Sequence, residues 1–208
     1  MVKSARTGVA LAVALAAGVA HAQSHGPFGI DHTVKYDNDG VISRRLQLVV
    51  EYGTLATIVG GALWEGGDSR LGKTYWQSID SAALGAVSST VLKGVFTRSR
   101  PTQSSDPNLW FQGKGRYSFP SGEVTFVTAA ITPFVLEYGH DHPAVYALEL
   151  LPLYDAIARI KVGGHWQSDV IAGFALGSAA GYLAHKQDNP WLLQALPGGF
   201  AVGFKKRF

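Results

Sequence analysis

The 208-residue chain has no cysteine, a single methionine and only 16% charged residues. Without thiols no disulfide can brace the fold, so its core alone must hold it. Charge is nearly balanced as well as scarce, with 18 Lys and Arg against 15 Asp and Glu, a formal +3. Part of that excess sits near the amino end and in Lys205, Lys206 and Arg207, and no basic stripe interleaved with aromatics occurs. Nucleic acid is therefore not an expected partner. Internal repeats are missing, and period-two alternation is nearly absent before the tail, which leaves little room for a sheet.

What is present is a set of apolar segments of helical length. The amino end, MVKSARTGVALAVALAAGVAHA, has Lys3 and Arg6 before an apolar stretch from Val9 to Val19 and then Ala20-His21-Ala22. This is the pattern of a secretory signal cut after Ala22. The stretch is short of the roughly 20 residues a membrane span needs. The expected organisation is a signal peptide over 1–22 and one domain over 23–208, exported to the periplasm. In the domain, helices are expected over Arg45 to Trp64, about Tyr75 to Phe96, from Ser121 to near Tyr138, Ala144 to Ile160, and near His165 to Lys186. Pro133 predicts a kink or early end in the third. Glu51, Asp80, Glu137, Glu149 and Asp155 interrupt these segments, so none reads as a convincing span, and a soluble protein, or one associated with a membrane surface, is the expectation instead. The fold class is all-α, a bundle of about five to six helices with a short extended C-terminal tail.

Three clusters carry chemistry. In KGVFTRSRP, Lys93 at a helix end and Arg100 just before Pro101 can converge on an anion, the Arg as a planar fork and the Lys as a point charge. A solvated basic helix end explains this cluster equally well. In SFPSGEVTF, the Ser121 hydroxyl, Gly122 and the free N–H groups of a helix start make an anion cradle, or simply a capped helix. In ARIKVGGHWQSD, His165 and Asp169 lie four apart at the start of a helix, so the carboxylate can orient the imidazole, with Arg159 entering from the preceding helix. A buried His-Asp pair capping a helix is the plainer account.

In this order the three clusters closely resemble the type 2 phosphatidic acid phosphatase superfamily, which includes bacterial acid phosphatases and vanadium haloperoxidases. The resemblance covers roughly Ser78 to Tyr182. It implies a phosphate pocket made by Lys93, Arg100 and Arg159 with the Ser121 hydroxyl and the Gly122 amide. It further implies that His165 attacks phosphorus to form a phosphohistidine, that Asp169 orients it, and that no metal or cofactor is needed, vanadate serving only as a phosphate mimic. Two positions depart from the pattern. Ala158 stands where the third motif usually has Ser. More consequentially, Glu123 stands where the second motif has the histidine that protonates the leaving group.

Three roles are open to Glu123: a replacement general acid, a residue that binds substrate or tempers a cationic pocket, or an inactivating change. The leading expectation is a phosphomonoesterase acting on a lipid phosphate or pyrophosphate ahead of small esters. A phosphate- or lipid-binding protein without turnover and a haloperoxidase are the alternatives, the chain being short for the latter. Trp110, Phe111, Tyr117 and Phe119 form either an apolar lip or the core of a folded loop, and Trp166 has the same two readings. The alternating Phe200, Val202, Phe204, Lys206 and Phe208 read as a short strand, which alone closes no barrel.

Overall fold

The computed structural model describes residues 25–192, so the expected signal segment and the C-terminal strand fall outside the described residues. Five α-helices carry this part of the chain: α1 (Arg44–Glu65), α2 (Arg70–Phe96), α3 (Gly122–Tyr138), α4 (Leu150–Lys161) and α5 (Gln167–His185). No strand occurs among the described residues, and the all-α expectation holds.

Local chemistry sets the ends. Gly66, with φ 71°, stops α1. Ser69 then caps α2, its Oγ accepting from Gly72 N–H at 2.9 Å, and so starts that helix five residues earlier than its apolar spacing suggested. α3 does not stop at Pro133 but continues to Tyr138. Proline leaves the Ala129 carbonyl without its usual amide donor, and the Ser81 hydroxyl of α2 donates to that oxygen at 2.7 Å instead. The expected fourth helix is two elements, a 3-10 segment (Pro143–Glu149) and then α4. Pro152 falls in the first turn of α4, where its missing N–H costs no intrahelical bond.

The helices alternate in direction, which gathers the N-termini of α1, α3 and α5 and the C-termini of α2 and α4 at one end. α3 is central and packs most extensively on α5 and α2. Its approach to α5 rests on a stripe of small residues: a Cβ at Gly177 would sit 2.6 Å from the Thr125 carbonyl oxygen, and one at Gly181 would sit 2.3 Å from Thr132 Cβ. At the far end, Arg70 pairs with Glu137 at 2.5 Å and Asp141 at 2.9 Å, and His185 meets Glu137 at 2.9 Å.

The outer surface is apolar to an unusual degree. Val49, Tyr52, Leu63 and Trp64 of α1, Val87, Val91 and Val95 of α2, and Leu150 and Leu153 of α4 are all exposed. Both α1 and α2 are long and apolar enough to cross a membrane, by length and composition. The charges that broke these segments in one dimension turn inward in three. Glu51 is half-buried on the wall of a cleft, and Asp80 is buried where it accepts the backbone N–H groups of Trp191 at 2.5 Å and Leu192 at 3.0 Å. Hydropathy along the chain averages over faces that the fold separates.

Candidate active site

At the gathered helix ends lies a pocket of about 450 Å³. Six of the eight residues expected from sequence line it: Lys93, Arg100, Gly122, Glu123, Arg159 and His165. The other two, Ser121 and Asp169, are fully buried behind the wall.

Each arrives for a local reason. Lys93 reaches from the last turn of α2 across Gly122, where a Cβ would lie 3.3 Å from Lys93 Cε. Its Nζ donates to the Pro120 carbonyl at 2.5 Å and to that of Tyr117 at 3.1 Å, and Arg100 Nη2 reaches the same Tyr117 oxygen at 3.4 Å. Arg159 comes from the last turn of α4 and folds back against Gly164, where a Cβ would sit 2.4 Å from its Nη2. The Ser121 hydroxyl does not cap α3 and has no hydrogen-bond partner among the described residues, so a buried donor remains next to the cradle.

His165 is buried, and its two ring nitrogens face different partners. Nδ1 lies 2.7 Å from the Ser118 carbonyl oxygen. A carbonyl can only accept, so Nδ1 carries the proton and the neutral ring presents a bare Nε2. That nitrogen faces the pocket, 3.9 Å from Glu123 Oε2. Burial pushes the His165 pKa down to about 4, with Lys93 and Arg159 acting in the same direction against Asp169. The imidazole is thus neutral, as a nucleophile requires.

Asp169 supports this ring at one remove. It lies 3.8 Å from His165 Nδ1, too far for a hydrogen bond, and its oxygens are taken up by other donors. Ser118 Oγ donates to it at 2.5 Å and Trp166 N–H at 2.9 Å, while Arg98 Nη1 pairs with it at 2.5 Å. Burial alone would raise its pKa, but the His165 ring, the Arg98 charge and the Ser118 hydroxyl hold the carboxylate below its ordinary value. Ser118 thereby binds both members of the pair, His165 through its carbonyl and Asp169 through its hydroxyl.

Arg98 is one member of the site that sequence reasoning missed, although it lies two residues before Arg100. It is fully buried and bridges two carboxylates, Asp169 and, through Nη2 at 2.6 Å, Asp31. Nη2 also donates to the Pro107 carbonyl at 2.7 Å, and the guanidinium stacks 4.2 Å from the Trp110 ring. Asp31 in turn accepts from Ser168 N–H at 2.8 Å and Ser168 Oγ at 2.7 Å, which ties the segment before α1 to the start of α5. Nothing local in the sequence signals Asp31, 67 positions from Arg98.

The aromatic loop resolves mostly as packing. Trp110 and Phe119 sit 5.1 Å apart and both pack on Phe96, leaving Phe111 and, in part, Tyr117 exposed. Trp166 is wholly buried, with its Nε1 donating to Ser99 O at 2.8 Å.

Glu123 has two cations of its own. Its Oε1 lies 2.6 Å from Arg44 Nη2, and its Oε2 lies 2.6 Å from Arg159 Nε, the latter an ion pair without the angle of a hydrogen bond. Burial would raise the carboxyl's pKa, but the neighbouring Arg159 and Arg44 guanidinium charges outweigh it and hold the group below its ordinary value. Behind it, Asp155 is fully buried, and neither of its oxygens has a hydrogen-bond partner among the described residues. Burial, with Glu123 nearby, pushes Asp155 up to about 7.

The helical bundle brings three cations, a helix N-terminus and a neutral, oriented histidine to one cleft, an arrangement suited to holding a phosphoryl group. The PAP2 superfamily matches residues 74–192, more than half of the chain, and the chain belongs to that superfamily. Curated relatives include the lipid A 1-phosphatase of Rhizobium johnstonii, 34% identical over 93 residues, covering 42% of this chain and 37% of that protein. The lipid A 1-phosphatase of Rhizobium etli is 35% identical over 92 residues, covering 42% and 38%. The chain therefore spans less than two fifths of the length of these relatives. Among solved structures, Aquifex aeolicus LpxE superposes with a TM-score of 0.51 at 20% identity, over 69% of this chain and 85% of that one. The transmembrane PAP2 type phosphatidylglycerolphosphate phosphatase from Bacillus subtilis does so with 0.52 at 18%, over 88% and 86%. At such identity these two establish a shared fold.

Proposed function

We propose that the protein is a phosphatase that removes a terminal phosphate from a membrane lipid through a phosphohistidine at His165. One observation carries the reading: Nδ1 of His165 is fixed on the Ser118 carbonyl, which leaves the bare Nε2 facing a pocket lined by Lys93, Arg100 and Arg159. The Nε2 lone pair forms the P–N bond as the P–O bond to the lipid breaks. The electron pair of that bond leaves on the lipid oxygen, which needs a proton. The cations and helix N–H groups balance the charge on the three phosphoryl oxygens. Water then attacks the phosphohistidine while the Glu123 carboxylate takes its proton, and the P–N bond breaks to release phosphate and restore the bare Nε2.

The lipid substrate is supported by the exposed apolar faces of α1, α2 and α4 and by relatives whose names specify lipid A. Export to the periplasm rests on the pattern over 1–22, and an N-terminus at Gln23 in periplasmic material would test it. The general acid is Glu123, which must first gain a proton that its two arginines disfavour. That ion pairing also supports a second reading, an anion-binding protein without turnover. Rapid quenching in alkaline detergent of the protein mixed with radiolabelled aryl phosphate separates the two. A phosphatase gives a base-stable, acid-labile phosphoprotein that His165→Ala abolishes, with a rate loss of about a thousandfold or more. A protein that binds phosphate but never labels is the second reading.

A further inference from the structure

The sequence motifs supply three pocket cations, and the structure adds a fourth. Arg44, at the start of α1, lies on the pocket wall and outside the matched family segment. It is aimed rather than loose: its Nη1 donates to the side-chain oxygen of Gln47, which is fully buried and whose Nε2 donates in turn to Glu51 Oε2 at 3.2 Å. Its main-chain N–H is held by Asn38 Oδ1 at 2.7 Å.

The Glu123 carboxylate is clasped between this guanidinium and that of Arg159, each 2.6 Å from a different oxygen. A carboxylate and a phosphoryl group present guanidinium with the same kind of paired oxygen acceptors. Glu123 thus stands where a tetrahedral anion would stand, in the mouth of the pocket. We propose that a phosphate group replaces the Glu123 carboxylate between Arg44 and Arg159, which makes Arg44 a fourth phosphate-binding cation, and that the released Glu123 takes up a proton.

The physical reasons lie on both sides of the exchange. Arg159 is almost fully buried, so a dianion that enters beside His165 meets a desolvated guanidinium already paired to a single charge, and the higher charge wins it. Once released, Glu123 stays largely buried, without either arginine partner and next to the dianion. Both changes favour its neutral form. The other ionisable groups facing the exchange are Glu51 from α1, Lys93 from α2, Arg100 from the following loop, Asp155 from α4 and His165. Of these, Glu51 opposes an ionised Glu123 and reinforces the proton uptake, Asp155 does so only when it is itself ionised, and Lys93 and Arg100 act against it but stand to be engaged by the dianion. The exchange therefore delivers the proton the leaving oxygen requires at the moment substrate binds, and withholds it from the empty pocket. This rests on the phosphate-pocket reading above but not on turnover.

Sulfate tests it, being a tetrahedral dianion that is neither hydrolysed nor titrated in the working range. Isothermal titration at mildly acidic pH, in two buffers of different ionisation enthalpy, gives both affinity and protons exchanged. The expected result is uptake approaching one proton per sulfate in the parent and none in Glu123→Gln, which binds sulfate about tenfold more tightly. Arg44→Ala weakens sulfate binding about tenfold in the Glu123→Gln background and less in the parent, where losing the Arg44–Glu123 pair offsets part of the cost. Arg44→Lys, which keeps the charge and the fold, recovers part of the affinity. Sulfate affinity that ignores Arg44 in both backgrounds reduces Arg44 to a surface ion pair and overturns the proposal. So does binding with no proton uptake, or no sulfate binding in parent and Glu123→Gln alike. Sulfate binding as expected in a protein that never turns over phosphate esters removes the phosphatase reading and leaves this one standing.

Discussion

Two carboxylates flank His165, and they are held in opposite ways. Asp169 is fully buried and gripped by the Ser118 hydroxyl, the Trp166 amide and the Arg98 guanidinium, itself anchored on Asp31 and Pro107. Glu123, 20% exposed, is held by two ion pairs and no main-chain donor, beside the unsatisfied Asp155. On this inner wall, Asp169 is saturated with hydrogen bonds and an ion pair that fix its place. The outer wall depends on charge balance, which an arriving anion changes. A nucleophile must keep its geometry through the reaction, whereas a proton donor must change state during it, and the two walls divide that labour.

The comparison breaks most severely at Arg98. Arg98→Ala leaves Asp31 and Asp169 as buried charges without their cation, and a loss of about 3–5 kcal/mol is expected in urea unfolding, together with activity. Arg98→Lys keeps the charge but not the fork, and should restore only part of either. A stability change near zero for Arg98→Ala would mean the inner wall is not held as described.

On the outer wall, Glu123→Gln should cost less stability than Arg98→Ala, because Glu123 is partly exposed and its charge is opposed by Glu51, and should strike chemistry harder than stability. Alkyl phosphates, whose leaving oxygen needs a proton, should lose about 10² to 10⁴ in kcat, and aryl phosphates much less. Equal losses for both would deny Glu123 a role in proton transfer.

A smaller effect should separate the walls by pH. Asp155 has its folded pKa raised to about 7 from an ordinary 3.8, so the folded state holds a proton that the unfolded state releases. The stability this group permits is present below the unfolded value and falls as pH rises toward 7. Asp155→Asn should therefore gain on the parent by up to about 1.4 kcal/mol per pH unit across that window, read from urea midpoints. For His165 the sign is reversed. Its folded pKa of about 4 lies below the ordinary 6.5, so its contribution is complete above 6.5 and fades as pH drops toward 4. The Asn variant should leave that acid limb in place. A pH-independent difference between Asp155→Asn and the parent would place the Asp155 carboxyl outside the buried network.

The smallest expected change is the stability of Arg44→Ala, below about 1 kcal/mol, because the Arg44–Glu123 pair is partly exposed. A larger loss would move Arg44 from the responsive wall to the rigid one.

The helices and the family pattern were legible in the sequence because both are written locally. Apolar spacing, the Ser121 and Gly139 boundaries, and the intervals Lys93 to Arg100 and His165 to Asp169 need no knowledge of distant residues. What tertiary structure decided are the contacts between residues far apart in the chain. The Ser81 hydroxyl carries α3 through Pro133, 52 positions later in the chain. Ser118, 47 residues before His165, fixes the tautomer that the expected Asp169 contact does not. Arg98 and Asp31 complete the inner wall, and Arg44 meets Glu123 from a helix that the motifs never reach. Local propensity chooses helices and their ends, but a buried charge or carbonyl accepts whatever partner the packed fold brings within about 3 Å. Only folding sets those distances.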